Sequence, residues 1–271
     1  MTAPLLEVCD VTRSYAMGPL LSRHRFRAVD GISFTMPSER AEILAVIGES
    51  GSGKTTLARM ILNMLMPTAG SIRFRGADLS ELRRGRHRLE FMKRVQPIFQ
   101  NPFEAFNPLK KLDRYLFTTA RRIAGLDAIA AEHRVEVVLG TVGLSLAEVR
   151  GRFPHELSGG QLQRIAIARA LIPAPALLVA DEPVSMIDAS LRLSIVNLLR
   201  RLRDEAGVAI VYITHDLATA YSISDRIMIM REGRVVESGD ARTVLDNPQH
   251  PYSIMLKAAV LSPDAVLSSR D

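Results

Sequence analysis

The sequence predicts an α/β protein built on a parallel sheet, because apolar runs and helix-like segments alternate along its second half. Two continuous apolar runs, Leu177 to Ala180 and Val208 to Ile213, are each followed by polar residues and then a helix-like pattern. Continuous apolar runs are typical of strands buried on both faces of a parallel sheet. Between them, Leu191 to Leu202 carries Leu, Ile and Val at helical spacing with Arg on the opposite face, which predicts a crossover helix.

The rest of the chain contains three regions that differ in composition. The first third is crowded with short strand-like runs between Gly, Pro and Ser turns, at Leu5 to Val8, Ile32 to Met36 and Ile72 to Phe74. Helix formers dominate from Glu104 to Arg152, with breaks at Pro and Gly, so we predict a helical subdomain there. After Gly239 comes a tail in which a turn-rich hinge precedes one last amphipathic segment.

Length and composition exclude several classes of protein. The 271 residues are 47% apolar and 24% charged, and no apolar stretch approaches the roughly 18 residues that span a bilayer. The first residues, MTAPLLEVCDVT, lack the charged and apolar regions of a secretory signal, so we expect no export. The single cysteine, Cys9, can form no intramolecular disulfide and supplies too few thiolates for a zinc or iron–sulfur site, which fits a reducing cytosol.

The net charge of +6 raises the question of an anionic partner. The 30 Arg against 5 Lys indicate a general preference for Arg, and a charged run is usually a solvated face. We therefore expect no nucleic-acid partner, although proximity to a membrane surface is compatible with the charge. The densest basic stretch comprises Arg83, Arg84, Arg86, Arg88, Lys93 and Arg94.

A glycine-rich loop predicts nucleotide binding. The buried strand Ile43 to Ile47 leads into GESGSGKTT, which precedes the helical segment Leu57 to Leu65. In this order, strand, loop and helix let backbone N–H groups converge on phosphates at a helix N-terminus. Lys54 would reach the β- and γ-phosphates, and Thr55 can bind Mg²⁺. The candidate contacts are Gly48, Glu49, Ser50, Gly51, Ser52, Gly53, Lys54, Thr55 and Thr56.

A second chemical feature is the acidic end of a predicted strand. Leu177 to Ala180 leads into Asp181 and Glu182, at the sheet edge where ligands bind in such folds. Asp181 can hold Mg²⁺ through water, and Glu182 is placed to polarise the water that attacks the γ-phosphate. Taken alone, an Asp-Glu pair after a strand is equally typical of an exposed cap.

The run Leu157-Ser158-Gly159-Gly160-Gln161 resembles the LSGGQ signature of ABC ATPases, and its position before the Asp181-Glu182 strand is the one that family requires. Ser158 is a predicted N-cap of the helical segment Leu162 to Leu171. The resemblance implies an ABC ATPase fold, with a P-loop core, an antiparallel β subdomain and a helical subdomain. It also implies ATP as substrate, Mg²⁺ as cofactor and a head-to-tail pair in which Ser158, Gly159, Gly160 and Gln161 close on the partner's nucleotide.

Other positions match the same family in the expected order. The resemblance assigns Gln100 to the Q-loop, as a sensor of the γ-phosphate and a magnesium ligand, and Asp188 to the D-loop. It assigns His215, after the strand Ile210 to Thr214, to the switch that contacts the γ-phosphate and the attacking water. Tyr15 is a candidate for stacking on adenine, with Phe26 as its rival across an unusually long intervening segment.

Two stretches narrow the resemblance to importers of oligopeptides, dipeptides and nickel: FQNPFEAFNP, from Phe99 to Pro108, and NPQHPYSIML, from Asn247 to Leu256. The family implies two membrane permeases, an extracytoplasmic binding protein and a location on the cytoplasmic face of the inner membrane. Its members commonly pair two different ATPases, so we expect a heterodimer. Ser185-Met186-Ile187-Asp188 departs from the usual SALD. The cysteine cluster that some family members carry near the C-terminus is missing, so we expect no iron–sulfur centre.

The sequence leaves the cargo open between short peptides, favoured by those two stretches, and oligosaccharides. A soluble ABC ATPase that assists an enzyme complex is the alternative from another class. The predicted organisation is residues 1–103 as β subdomain and first part of the core, 104–157 as helical subdomain, 158–239 as second part of the core, and 240–271 as C-terminal extension.

Overall fold

A computed structural model describes residues 3–16, 25–103, 105–185 and 187–261. Its strands are β1 Leu6–Ala16, β2 Arg25–Met36, β3 Ile43–Ile47, β4 Ala69–Phe74, β5 Ala77–Asp78, β6 Val95–Ile98, β7 Leu177–Asp181, β8 Ala209–Thr214, β9 Arg226–Arg231 and β10 Arg234–Asp240. Its α-helices are α1 Lys54–Ile61, α2 Gly85–Arg94, α3 Leu112–Thr118, α4 Ala128–Thr141, α5 Leu146–Val149, α6 Gly159–Leu171, α7 Ala189–Asp204, α8 Leu217–Ile223, α9 Ala241–Asp246 and α10 Pro251–Leu261.

The chain divides into two compact units, residues 1–80 with 211–271 and residues 81–210. The predicted boundaries at 103/104 and 157/158 differ from this division and stay a prediction. The predicted helical subdomain lies within the second unit, where α3, α4 and α5 fall inside residues 104–157. Glu104 and the last ten residues of the predicted C-terminal extension, 262–271, lie outside the described residues.

The first unit contains an antiparallel sheet in the order β2-β1-β4-β5. β1 lies between two partners, with Leu6 opposite Met36 on one side and Phe74 on the other. The alternation of buried and more exposed residues at the start of β1 fits a sheet with one covered face. This is the predicted β-rich region, and its strands extend beyond the short apolar runs because cross-strand pairing continues through polar residues.

The same unit contains the strand that leads into the phosphate-binding loop. All five residues of β3 are buried, and β3 pairs in parallel with β9, which forms an antiparallel hairpin with β10. The core beside these strands includes α8, α9 and the start of α10. Its buried members are Ala45, Ile47, Leu217, Ala220, Ile227, Ile229, Ala241, Val244, Leu245 and Tyr252.

Two predicted helical segments differ in extent from the observed ones. α1 ends at Ile61, before the predicted Leu65, because Asn63 takes a left-handed backbone conformation with φ 54°. The tail after Gly239 forms two helices, α9 and α10, where one amphipathic segment was expected. Both bury side chains in the core of the first unit, so this part of the chain packs as an integral element.

The second unit places two strand ends side by side. β6 and β7 are parallel neighbours, with Ile98 opposite Ala180. The chain leaves both strands at the same edge, which is where parallel sheets present ligand-binding residues. Among the described residues, no helix has the length and apolar character needed to cross a membrane.

Candidate nucleotide-binding site

The phosphate-binding loop folds around its own lysine. β3 ends at Ile47 and α1 begins at Lys54, so the loop occupies the strand-to-helix turn that the sequence predicts. The Lys54 ammonium donates hydrogen bonds to the carbonyl oxygens of Gly48, at 2.6 Å, and Glu49, at 2.8 Å. Only 6% of Lys54 is exposed. The positive charge is therefore held inside the turn, where a phosphate group at the helix N-terminus would meet it.

Two glycines make this loop compact, and no larger residue fits in their place. Gly53 has φ 102°, and a Cβ there would lie 2.1 Å from the carbonyl oxygen of Ala28. A Cβ on Gly48 would lie 2.2 Å from the carbonyl oxygen of Met230. Both distances are far inside van der Waals contact. The close backbone approach, the buried ammonium and the helix start together fit a nucleoside triphosphate.

His215 lies at a second strand-to-helix junction of the first unit, directly after β8 as predicted. Its side chain is exposed, and the residues on either side fix the turn. The Thr214 hydroxyl accepts a hydrogen bond from the backbone N–H of Asp216, and the Asp216 carboxylate caps α8 by accepting from Ala218 and Thr219. The histidine is thus presented from a rigid turn.

The two aromatic candidates for adenine stacking lie opposite each other. Tyr15 of β1 pairs with Phe26 of β2, so both rings project from the same face of the hairpin. They are 39% and 50% exposed. The guanidinium of Arg13 lies 4.8 Å from the centroid of the Tyr15 ring. The segment 17–24 between them, which is unusually long, lies outside the described residues.

In the second unit, Gln100 and Glu182 are in direct contact. Each residue follows the paired ends of β6 and β7 by two positions, so the parallel register brings them together. The Gln100 amide nitrogen donates to a Glu182 carboxylate oxygen at 2.9 Å. The sequence predicted both residues but not this contact.

Glu182 has a strained backbone. Its φ is 47°, in the left-handed region that residues other than glycine rarely adopt. Ser185 holds the conformation, because its N–H and its hydroxyl both donate to the Glu182 carbonyl oxygen, at 3.2 and 3.0 Å. Such strain is concentrated at functional positions. Asp181, one residue earlier, is the last residue of β7.

The LSGGQ run forms the start of α6, and the predicted N-cap is confirmed. The Ser158 hydroxyl accepts from the N–H of Gln161 at 3.2 Å, and the Gln161 side chain accepts from the N–H of Ser158 at 3.1 Å. This reciprocal capping box leaves Gly159 and Gly160 at the helix start, without large side chains. Gln161 therefore has a structural role here besides the predicted nucleotide contact. Asp188 precedes α7 and is exposed, whereas Met186 of the D-loop lies outside the described residues.

Two polar side chains of α6, the buried Gln163 and the partly buried Arg169, hold the segment around Gln100, and sequence reasoning missed both. Gln163 donates to the carbonyl oxygen of Phe99 at 3.3 Å. Arg169 donates to the carbonyl oxygen of Ala105 at 3.2 Å, and its guanidinium lies 5.8 Å from the Phe106 ring centroid. Polar residues on the buried face of a helical pattern were the available signal. The FQNPFEAFNP segment is thereby attached to the helix that begins at the LSGGQ run.

The predicted magnesium ligands have suitable chemistry. Thr55 offers a hydroxyl, Asp181 a carboxylate and Gln100 an amide oxygen, and Mg²⁺ prefers such hard oxygen ligands. Gln100 uses its amide nitrogen for Glu182, which leaves the oxygen as the atom suited to a metal. These three residues are divided between the two units, as are the phosphate-binding loop and Glu182.

Comparison with known proteins supports the same assignment. The family model described as ABC transporter matches residues 29–185, more than half of the chain. The dipeptide transport ATP-binding protein DppF of Escherichia coli (strain K12) is 39% identical over an alignment of 265 residues that covers 96% of this chain and 78% of that protein. The oligopeptide transport ATP-binding protein AppF of Bacillus subtilis (strain 168) is 38% identical over 259 residues, covering 94% and 78%.

Solved structures agree with the fold. The dimeric bacterial ABC transporter cassette MJ0796 superposes with a TM-score of 0.76 at 26% identity, covering 88% of this chain and 99% of that one. The protein cbiO1 of Clostridium perfringens, part of the ABC transporter complex cbiONQ, gives the same TM-score at 25% identity and covers 96% of both chains. The predicted α/β fold of the ABC ATPase type is confirmed. On this combination of motifs, fold and sequence identity, the chain belongs to the ABC transporter family, as an ATP-hydrolysing subunit.

Proposed function

We propose that this chain powers the uptake of short peptides, by hydrolysing ATP on the cytoplasmic face of a membrane importer. ATP hydrolysis by this chain is supported chiefly by one observation, the loop folded around the buried Lys54 ammonium. The peptide part rests on identity to proteins named for dipeptide and oligopeptide transport, together with the FQNPFEAFNP and NPQHPYSIML stretches.

Each residue of the proposed site has its own role in hydrolysis. Lys54 and the loop N–H groups bind the phosphates and stabilise the charge that develops on them. Glu182 orients the attacking water and accepts its proton, and its strained backbone together with the Gln100 contact fixes the carboxylate. His215 donates a hydrogen bond to the γ-phosphate. Thr55, Asp181 and Gln100 hold Mg²⁺, which neutralises phosphate charge when bound.

We further propose that two such subunits pair head to tail. The LSGGQ helix start offers N–H groups of Gly159 and Gly160 beside the N-cap residue Ser158, and an anion is favoured there. Each chain then supplies one loop and one LSGGQ run, and each nucleotide is bound between a loop and the partner's run. Asp188 lies near this interface. The partner is a paralogous ATPase, and the pair sits beneath two permease subunits that receive cargo from an extracytoplasmic binding protein.

Mixing two inactive variants tests the pairing in trans. Ser158→Arg blocks the LSGGQ run but keeps the loop, whereas Lys54→Ala disables the loop but keeps the run. In a homodimer of this chain, formed without the paralogue, sites between chains would give the mixture one working site of two, and its ATPase activity would depend on protein concentration. Each variant alone should be inactive. Activity that is independent of concentration, or that Ser158→Arg retains alone, would contradict the arrangement.

An oligosaccharide cargo is the second candidate, because Ser185-Met186-Ile187-Asp188 departs from the usual SALD and carbohydrate importers occur in the same family. The ATPase does not touch the cargo, so the measurement is made on the complex. We expect the binding protein loaded with a peptide mixture to stimulate ATPase activity of the reconstituted complex, and the same protein offered oligosaccharides to have no effect. Stimulation by sugars alone would refute the peptide cargo and leave the catalytic roles unchanged.

A further inference from the structure

The C-terminal tail reaches the phosphate-binding loop through one hydroxyl group. Tyr252, the second residue of α10, is 1% exposed and belongs to the core beside β3. Its phenolic oxygen accepts a hydrogen bond of 3.0 Å from the backbone N–H of Glu49. Glu49 is the second residue of the loop, 203 positions earlier in the chain. A side chain that fills the core thus also binds the backbone of the loop.

Hydrogen bonds hold the backbone at and before Tyr252, and a guanidinium group lies over its ring. The Glu237 carboxylate of β10 accepts hydrogen bonds from the backbone N–H groups of Gln249 and His250, at 2.9 and 3.1 Å. The His250 imidazole then accepts from the N–H of Tyr252 at 3.1 Å. The guanidinium of Arg231 lies 5.0 Å from the ring centroid. These contacts leave the hydroxyl little freedom to follow the loop if the loop moves.

The Glu237 carboxyl and the Tyr252 phenol each have the protonation state that these contacts require. Burial raises the pKa of the Glu237 carboxyl, but the neighbouring Ser253 hydroxyl and the hydrogen bonds from the backbone N–H groups of Gln249 and His250 outweigh burial and hold the pKa below its usual value. Glu237 is therefore an ionised acceptor at neutral pH. Burial raises the pKa of the Tyr252 phenol. The hydroxyl stays protonated, and it accepts from Glu49 through an oxygen lone pair.

Glu49 is held from two sides. Its N–H donates to Tyr252, and its carbonyl oxygen accepts from the Lys54 ammonium at 2.8 Å. The residue that helps to position the lysine is therefore itself positioned by the tyrosine. Without the hydroxyl, this partly buried N–H loses its partner, which is unfavourable unless the loop moves to reach water. Nucleotide binding would then have to reverse that movement.

We propose that Tyr252 is a positioning residue for the nucleotide, which keeps the first turn of the phosphate-binding loop in its binding conformation. The inference rests on the proposed binding of nucleotide by this loop. It gives the tail after Gly239 a part in nucleotide affinity, although no residue of that tail is placed among the phosphate contacts. A tyrosine that served only the core would need no hydroxyl directed at the loop.

Tyr252→Phe removes the hydroxyl and keeps the ring, so it separates the two roles. The matched control is Tyr221→Phe in the same unit, where the lost hydroxyl lies 3.4 Å from the Asp246 carboxylate at the surface. Titration calorimetry of the full chain with MgADP gives the dissociation constant and the fraction of active protein separately. ADP is used because it lacks the γ-phosphate, on which we propose that the partner's LSGGQ run closes, so its affinity reports on the loop.

We expect the dissociation constant of Tyr252→Phe to rise about three- to tenfold, the range of one net hydrogen bond, with an unchanged stoichiometry. The control should match the wild type. A purely structural role would lower the stoichiometry or the melting temperature and leave the dissociation constant unchanged, and that result would overturn the inference. A wild-type chain that binds no MgADP would instead refute the proposed function itself.

Glu237→Gln provides a second route if Tyr252→Phe does not fold. It weakens the hydrogen bonds that the backbone N–H groups of Gln249 and His250 donate to residue 237. The ring and the hydroxyl of Tyr252 stay in place. The dissociation constant for MgADP should again rise with unchanged stoichiometry. An unchanged dissociation constant in a folded Glu237→Gln chain would count against a positioning role for Tyr252.

Discussion

Glu182→Gln should reduce ATP turnover by about 10²- to 10⁴-fold, the range expected for loss of a general base. The substitution preserves shape, and the amide oxygen can still accept the hydrogen bond from Gln100. The Ser185 contacts to the Glu182 carbonyl oxygen are also retained, so the left-handed turn should persist. What is lost is the negative charge that, in the proposed role, polarises water. Turnover of the assembled complex at saturating ATP is the measurement.

ATP binding by the Glu182→Gln chain should stay intact, and the variant should accumulate as an ATP-bound dimer that size-exclusion chromatography detects. Glu205→Gln is the matched control, because Glu205 is exposed at the end of α7 and the same charge is removed there. Near-normal turnover by Glu182→Gln would take this carboxylate out of the catalytic role.

Lys54→Ala should weaken nucleotide binding by about 100-fold or more, since several charge-assisted hydrogen bonds are lost together. In the proposed site the ammonium contributes twice, because it would attract the phosphates and it also binds the carbonyl oxygens of Gly48 and Glu49. Removing it leaves the triphosphate without the counter-charge that the loop supplies and the loop without its central contact. Affinity for MgATP, measured by calorimetry, tests this.

Two further variants show whether the loss of affinity in Lys54→Ala is specific to a lysine at this position. Lys93→Ala removes a lysine whose ammonium pairs with Glu90 at the surface, and affinity should not change. Lys54→Arg keeps the charge, but a planar guanidinium does not fit a buried space shaped for one ammonium, so we expect it to lose affinity as well. Wild-type affinity in Lys54→Ala would exclude the lysine from phosphate binding.

Local patterns predicted the elements that carry the chemistry. The apolar run Ile43 to Ile47 and the following glycines predicted the strand, loop and start of helix that the structure has at β3 and α1. Ser158 was identified as an N-cap from its place before a helical segment, and its hydroxyl does accept from Gln161. Such features depend on a few consecutive residues, so a sequence pattern is sufficient to find them.

The sequence by itself therefore determined the fold class, the family and the positions of the candidate residues. Only the tertiary structure decided which of them meet: Gln100 touches Glu182 because parallel register aligns two strand ends, and Tyr252 reaches Glu49 across 203 positions because α10 packs beside β3. Arg169 likewise binds Ala105 through the packing of α6. The physical reason is that sequence periodicity records which face of an element is buried, whereas a hydrogen bond depends on where packing places two distant backbones.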